Sequence, residues 1–267
     1  MLISSTTNAR IKEVLLLQQK SQERRLRGVF PLEGQRELSH AAACGYRART
    51  VFLCPEIAGA DYRLPEALAD AERIEVTPQV YARMAYREGT EGVLALMYGK
   101  AHGLHELRWQ GAPLFVVIEG VEKPGNVGAI LRSADAAGVS GVILADPRAD
   151  LYNPNLIRSS IGSVFTVPVA VAPTEECIAF LKERGVCILT AQLQDSHLYY
   201  DTDMRRPTAL VMGTEATGLT DAWRRAADAH IRIPMLGRLD SLNVSVSAAV
   251  LMYEAVRQRQ TIPAFNA

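Results

Sequence analysis

The chain has 267 residues, 48% of them hydrophobic and 22% charged, with 29 Lys and Arg balanced by 29 Asp and Glu for a formal net charge of zero. That length supports one large core or two modest ones. No apolar run is long enough to cross a bilayer, and the polar opening MLISSTTNARIKEV is unlike a secretion signal, so the cytoplasm is the expected compartment.

Ser5 or Thr6 is placed to cap a first helix running through Ile11, Val14, Leu15 and Leu17. The polar stretch QQKSQERRLRG follows, then GVFPLEG reads as a short strand and turn. A second helix is expected from Gln35 to Cys44, ended near Gly45. TVFLCP and RIEVTP read as strands, PQVYARMAYR as a short helix and GVLALMYG as a strand bounded by glycines. Together these describe a small α/β domain over residues 1–99. In its first 49 residues Arg10, Lys12, Lys20, Arg24, Arg25, Arg27, Arg36, Arg47 and Arg49 outnumber the acids, so the remainder of the neutral chain is net negative. That bias fits either a surface that meets a polyanion or a solvated helix face.

HGLHELRWQGAP has no clean period and marks a linker at residues 100–112. His102 and His105 lie three apart in it, but no third ligand is positioned beside them and no metal is expected. Cys44, Cys54, Cys177 and Cys187 form no CxxC or Cys/His cluster, which favours free buried thiols over a disulfide or zinc site.

From Pro113 to the C-terminus the periodicity sharpens. LFVVIEG is a continuous apolar run, as for a strand covered on both faces. A helix from about Val127 to Ala137 follows, then strands in GVILAD and VFTVPVA, a helix from Glu175 to Arg184, and strands in VCILTAQ and TALVMG. LTDAWRRAA reads as a helix, HIRIPM as a strand, and Asn243 to Arg257 as the last helix. The alternation implies a mostly parallel sheet with helices on both faces, binding ligands at the carboxyl ends of its strands.

Three strand-end loops carry candidate chemistry. In EGVEKPGNVGAILRSADAAG, Asn126 is placed to cap the helix, and Arg132 offers a guanidinium fork for phosphate or carboxylate, or else a salt bridge to Asp135 or Glu122. In GTEATGL two glycines flank Glu215 directly after a strand. In IPMLGRLDSLNVSVSAAVLMYEA, Ser241 and Asn243 sit where the last helix begins, serving either as caps or as functional groups. Neither GxGxxG nor GxxxxGK[ST] is present, which weighs against a nicotinamide or nucleotide enzyme on an ordinary doubly wound sheet.

Taken in order, NVGAILRSADAAG, ALVMGTEATGLT and IRIPMLGRLDSLNVSVSAAVLMYEA resemble the three motifs of the SpoU/TrmH family of RNA ribose 2′-O-methyltransferases, within the SPOUT superfamily. TTNARIKEV, FPLEGQREL and EGVLAL more loosely resemble that family's N-terminal substrate-binding domain, which is similar to a small ribosomal protein. The resemblance implies a SPOUT domain over 113–267 with a deep trefoil knot, homodimerisation, S-adenosylmethionine as cofactor and no metal. The substrate it implies is RNA, foremost 23S ribosomal RNA, with transfer RNA or a non-catalytic role in ribosome assembly as alternatives. Carried onto this chain, it makes Arg132 the catalytic arginine, with Asn126, Glu215, Ser241 and Asn243 in the reacting site. Gly213, Ile233, Met235 and Leu242 would line the cofactor pocket. Arg158, which with Gly162 matches a family position in IRSSIGSVF, would contact substrate together with Lys123 and the basic Arg24, Arg25 and Arg27. Lys123 stands where many relatives have aspartate, and Thr214 where asparagine is frequent.

Overall fold

The computed structural model describes residues 1–86, 91–214 and 217–260. The chain forms two compact units, Met1–Ala101 with Asp150–Thr166, and His102–Ala149 with Val167–Ala267. The sequence ends the first domain at residue 99; the first unit also takes up residues 150–166.

The first unit runs β1 (Leu2–Ile3), α1 (Ala9–Gln19), α2 (Ser21–Arg27), β2 (Val29–Glu33), α3 (Gln35–Ala43), β3 (Ala48–Leu53), α4 (Pro55–Ala58), β4 (Glu72–Val76), α5 (Pro78–Met84) and β5 (Val93–Tyr98). Its strands form one mixed sheet in the order β1-β4-β3-β5-β2, with β5 antiparallel to both β3 and β2. The cap of α1 is Asn8, whose side chain accepts from the Arg10 amide at 2.9 Å, rather than Ser5 or Thr6. Ile11, Val14 and Leu17 share one helical face and pack with Phe52, Ile74, Val80, Tyr81 and Met84. The polar stretch after α1 is itself helical. Glu23 in the first turn of α2 and three arginines in its last match the helix dipole, and Gly28 at φ 63° ends it.

The second unit opens with β6 (Leu114–Glu119), α6 (Pro124–Ala137) and β7 (Gly141–Ala145). The chain then contributes α7 (Pro154–Ser160) and α8 (Ser163–Thr166) to the first unit. There Tyr152 stacks on Phe30 with centroids 4.0 Å apart, and Phe165 meets Tyr46 edge-on at 5.1 Å. The second unit resumes with β8 (Val169–Ala172), α9 (Thr174–Glu183), β9 (Cys187–Ala191), β10 (His197–Leu198), β11 (Thr208–Met212), α10 (Asp221–Ala226), β12 (Ala229–Arg232) and α11 (Val244–Arg259). Its seven strands are all parallel, in the order β10-β12-β9-β11-β6-β7-β8. The central strands β6, β7 and β11 are buried along their whole length, which is why each reads as an unbroken apolar run.

The strand expected across VFTVPVA is a correction. Residues 163–166 are helical, and the ladder starts only at Val169, after Pro168, which has no amide hydrogen to give it. The β-branched run there packs as a helix of the first unit.

Arg259, in the last turn of α11, fastens this unit. Its guanidinium donates to the carbonyls of Met204 (2.7 Å), Ala112 (2.8 Å), Pro113 (3.1 Å) and Arg206 (2.7 Å). Partial burial pulls its pKa below the ordinary guanidinium value, yet it stays charged. Arg259→Ala strands these acceptors and is expected to lower stability by about 2 kcal/mol. A shifted urea midpoint at unchanged m-value would register that loss.

Candidate active site

The loop after β11 is built on Gly213. A Cβ there would fall 2.2 Å from the carbonyl carbon and oxygen of Gly218 and 2.5 Å from the Leu219 nitrogen, so only glycine fits. Thr214 and Gly218 then close a reciprocal backbone pair at 3.1 and 3.0 Å, with Gly218 at φ 68°. Thr214 Oγ1 accepts from the Thr217 amide at 3.0 Å, so the hydroxyl adds to the backbone pair in holding this turn. Glu215 lies outside the described residues.

Glu119, at the carboxyl end of β6, anchors the same region and went unnoticed in the sequence. It is buried, and its carboxylate accepts from the Thr220 amide (2.8 Å), the Thr220 hydroxyl (2.7 Å) and the Thr174 hydroxyl (3.3 Å). The entries to α9 and α10 are thereby tied to the central strand. The only local signal was an acid ending an apolar strand.

A cavity of about 370 Å³ opens at the carboxyl ends of β9, β11 and β12. Gly213, Ile233, Met235, Ser241 and Leu242 all line it. Met212, Ile231 and Leu251 give it apolar wall, and Gln192, Arg224 and Asp240 give it polar groups. Arg232, also in the lining, donates to the Ser196 carbonyl.

Asn243 and Asn126 meet outside that lining. Asn243 caps α11, its Oδ1 accepting from the Ser245 amide at 3.0 Å and the Ser245 hydroxyl at 2.6 Å. Its Nδ2 donates to Asn126 Oδ1 at 3.2 Å. Asn126 therefore does not cap α6: Lys123 holds the N-cap position, and the helix begins at Pro124 with Asn126 in its first turn. The two asparagines, 117 positions apart, tie the start of α6 to the start of α11. Arg132 lies further along α6, exposed, with no ion pair to Asp135 or Glu122. Glu122 is instead paired with Arg148.

In the first unit the basic residues divide. Arg24 is 4% exposed; it donates to Asp150 at 2.6 Å and to the carbonyls of Leu17 and Gln18. Its guanidinium is buried against these acceptors and presents almost no surface to a phosphate, which corrects its expected role. Arg27 is partly exposed and bonded to Glu23 and Glu13, which raise its pKa. Glu13 also takes Arg49, and Glu72 takes Arg10. Arg25, Lys12, Lys20 and Arg47 are exposed and carry no side-chain ion pair among the described residues. Arg158 is exposed on α7 and borders a cleft of about 30 Å³ with Glu33 and Glu37.

Among the described residues no three His, Cys, Asp or Glu side chains are grouped to hold a metal ion. Cys54, Cys177 and Cys187 are buried and all four cysteines are free thiols. Burial pushes the Cys177 thiol up to about 12, so it stays protonated and is no nucleophile.

An all-parallel α/β unit with a cavity walled by strand-end loops defines an enzyme that takes a small cofactor at its strand ends. Residues 113–253 match the SpoU rRNA Methylase family, and residues 8–95 match the MRM3-like substrate binding domain. The chain belongs to the SpoU rRNA Methylase family. It is 32% identical over 264 residues to the 23S rRNA (uridine(2479)-2'-O)-methyltransferase of Streptomyces viridochromogenes, covering 96% of this chain and 92% of that protein. It is 39% identical over 210 residues to the 23S rRNA (guanosine-2'-O-)-methyltransferase RlmB of Bordetella pertussis, covering 75% and 86%. The AdoMet-bound rRNA methyltransferase of Sinorhizobium meliloti superposes with a TM-score of 0.89 at 29% identity, over 98% of this chain and 99% of that one.

Proposed function

We propose that the protein transfers a methyl group from S-adenosylmethionine to a ribose 2′-hydroxyl of 23S ribosomal RNA. The observation that carries this reading is the strand-end cavity, whose lining includes residues of two of the three motifs, in a member of an rRNA methylase family. Its chemistry fits the cofactor: apolar Met212, Ile231, Ile233 and Leu242 suit a base, while Asp240 and Arg224 suit the charged ends of an amino acid. When bound, S-adenosylmethionine supplies a sulfonium-activated methyl, so no metal is needed.

The acceptor hydroxyl is a poor nucleophile until it is aligned and its proton is drawn off. Arg132, which has no ion pair among the described residues, grips the adjacent RNA phosphate with its fork and orients the hydroxyl so that the phosphate takes up the proton. Ser241 and Asn243 orient the ribose, Asn126 holds Asn243, and Glu215 organises the loop it sits on. Arg25, Arg27, Arg158 and Lys123 meet RNA phosphates, a contact set that makes binding fall with added salt. The reading includes the threaded C-terminal segment implied by the family resemblance, and it places the enzyme in the cytoplasm.

The test is transfer of labelled methyl to separated 23S rRNA and tRNA, followed by mapping of the modified nucleotide. Label in tRNA alone would move the substrate assignment, and label in neither would refute it.

The same reading makes the enzyme a homodimer. Val246 and Tyr253, one heptad apart on α11, are half exposed, and Leu236 and Leu239 in the preceding loop are more so. A second copy of the chain covers this apolar surface. The doubly substituted Val246→Glu, Tyr253→Glu protein is expected to run at half the wild-type mass in light scattering; an unchanged mass would place the interface elsewhere.

A further inference from the structure

Three consecutive residues at the carboxyl end of β6 hold the loop that follows β11. Ile118 pairs with Met212 in the ladder and fixes the loop's entry. Glu119 takes the amide and the hydroxyl of Thr220, one on each carboxylate oxygen, and fixes its exit. Gly120 lies beneath it, where an added Cβ would meet the Thr214 methyl at 3.5 Å. Gly213, Thr214, Thr217, Gly218 and Leu219 of this loop line the strand-end cavity, whereas Glu119 does not.

The Thr220 hydroxyl is diverted from its ordinary task. Thr220 is the N-cap of α10, where a threonine hydroxyl usually accepts from an amide of its own helix. Here it makes no such bond and donates to Glu119 at 2.7 Å. The helix forgoes that cap, and what the bond secures is the place of the loop's exit against β6. Leu219 and Trp223 are buried in the core and set how deep the exit lies. Apolar burial is non-directional, however, and leaves the exit's register along the strand open. Two directional bonds to a buried carboxylate close that freedom.

We infer that Glu119 is a positioning residue for cofactor binding: acting through Thr220, it holds the loop that walls the cavity in the shape the cofactor meets. The inference rests on the cofactor reading above. Thr174 supplies a matched comparison. Its hydroxyl donates to the same carboxylate at 3.3 Å, but it opens α9, none of whose described residues lines the cavity. Both Thr220 bonds remain when the Thr174 hydroxyl is lost.

Calorimetric titration with S-adenosylhomocysteine, run well below the melting temperature, separates positioning from stability alone. Thr220→Val keeps the shape and the backbone amide but removes the hydroxyl, and it is expected to weaken binding roughly tenfold. Thr174→Val should bind like wild type, whatever either substitution does to the melting temperature. Glu119→Met, which keeps the length of the side chain but accepts from neither donor, should weaken binding at least as much as Thr220→Val. Adding Thr220→Val to it should cost no further affinity, since the pair is then already broken. If Glu119→Met does not fold, the two threonine variants still decide. Wild-type affinity in Thr220→Val would overturn the inference, as would an equal loss in Thr174→Val or a full further loss in the double variant. Failure of wild type to bind S-adenosylhomocysteine at all would instead overturn the cofactor reading beneath it.

Discussion

Arg132→Ala is expected to slow single-turnover methyl transfer to 23S rRNA by roughly a hundred- to a thousandfold, the usual effect of removing one group aimed at developing charge. Affinity for S-adenosylhomocysteine should not change, because Arg132 is not in the cavity lining. The side chain is exposed and carries no ion pair among the described residues, so its loss uncovers no buried acid there and should leave the melting temperature alone. Arg132→Lys separates charge from shape: a lysine keeps the cation but not the bidentate fork, and recovery of most of the rate would show that charge alone suffices. If Arg132→Ala transfers methyl at the wild-type rate, its catalytic role is withdrawn.

Gly213→Ala should do more damage than its single added methyl implies. The new Cβ would meet backbone atoms of Gly218 and Leu219 at 2.2 to 2.5 Å, and backbone cannot swing aside as a flexible side chain does. Either β11 or the 214–218 turn must move, and both the Thr214–Gly218 pair and the cavity wall depend on them. The expected result is loss of S-adenosylhomocysteine binding by at least about a hundredfold, consistent with an overpacking strain of a few kcal/mol. Gly125→Ala serves as the control, since a Cβ there meets nothing within 4 Å and its helical setting favours alanine. Near-wild-type binding by Gly213→Ala would show that the loop yields.

The parts legible in the sequence are those set by local pattern. Buried parallel strands announce themselves as apolar runs, so β6, β7, β9 and β11 were readable, as were the motif residues on their loops. What escaped depends on partners distant in the chain. The basic count of the first 49 residues reads as an open surface, yet Arg10, Arg24 and Arg49 find acids 62, 126 and 36 positions away. Only a tertiary fold makes those pairs. Glu119 escaped for the same reason: its three donors come from Thr174 and Thr220, both far along the chain. The Val-Phe-Thr-Val run at 164–167 has strand composition, but Pro168 and the packing of Phe165 on Tyr46 override it.

The return of residues 150–166 to the first unit bears on how such a protein can be recombined. A single crossover near residue 100 grafts a foreign N-terminal module onto a chain that still carries Asp150, Tyr152 and Phe165. The graft then lacks the Arg24 and Phe30 that these residues were matched to. A truncated 1–99 piece suffers the converse: Arg24 is left buried without its carboxylate, a defect of about 3–5 kcal/mol. Exchange of the first unit in this architecture therefore requires three coordinated junctions, one after residue 101 and one on either side of 150–166. A chimera made with all three should be recovered folded where the single-crossover version is not.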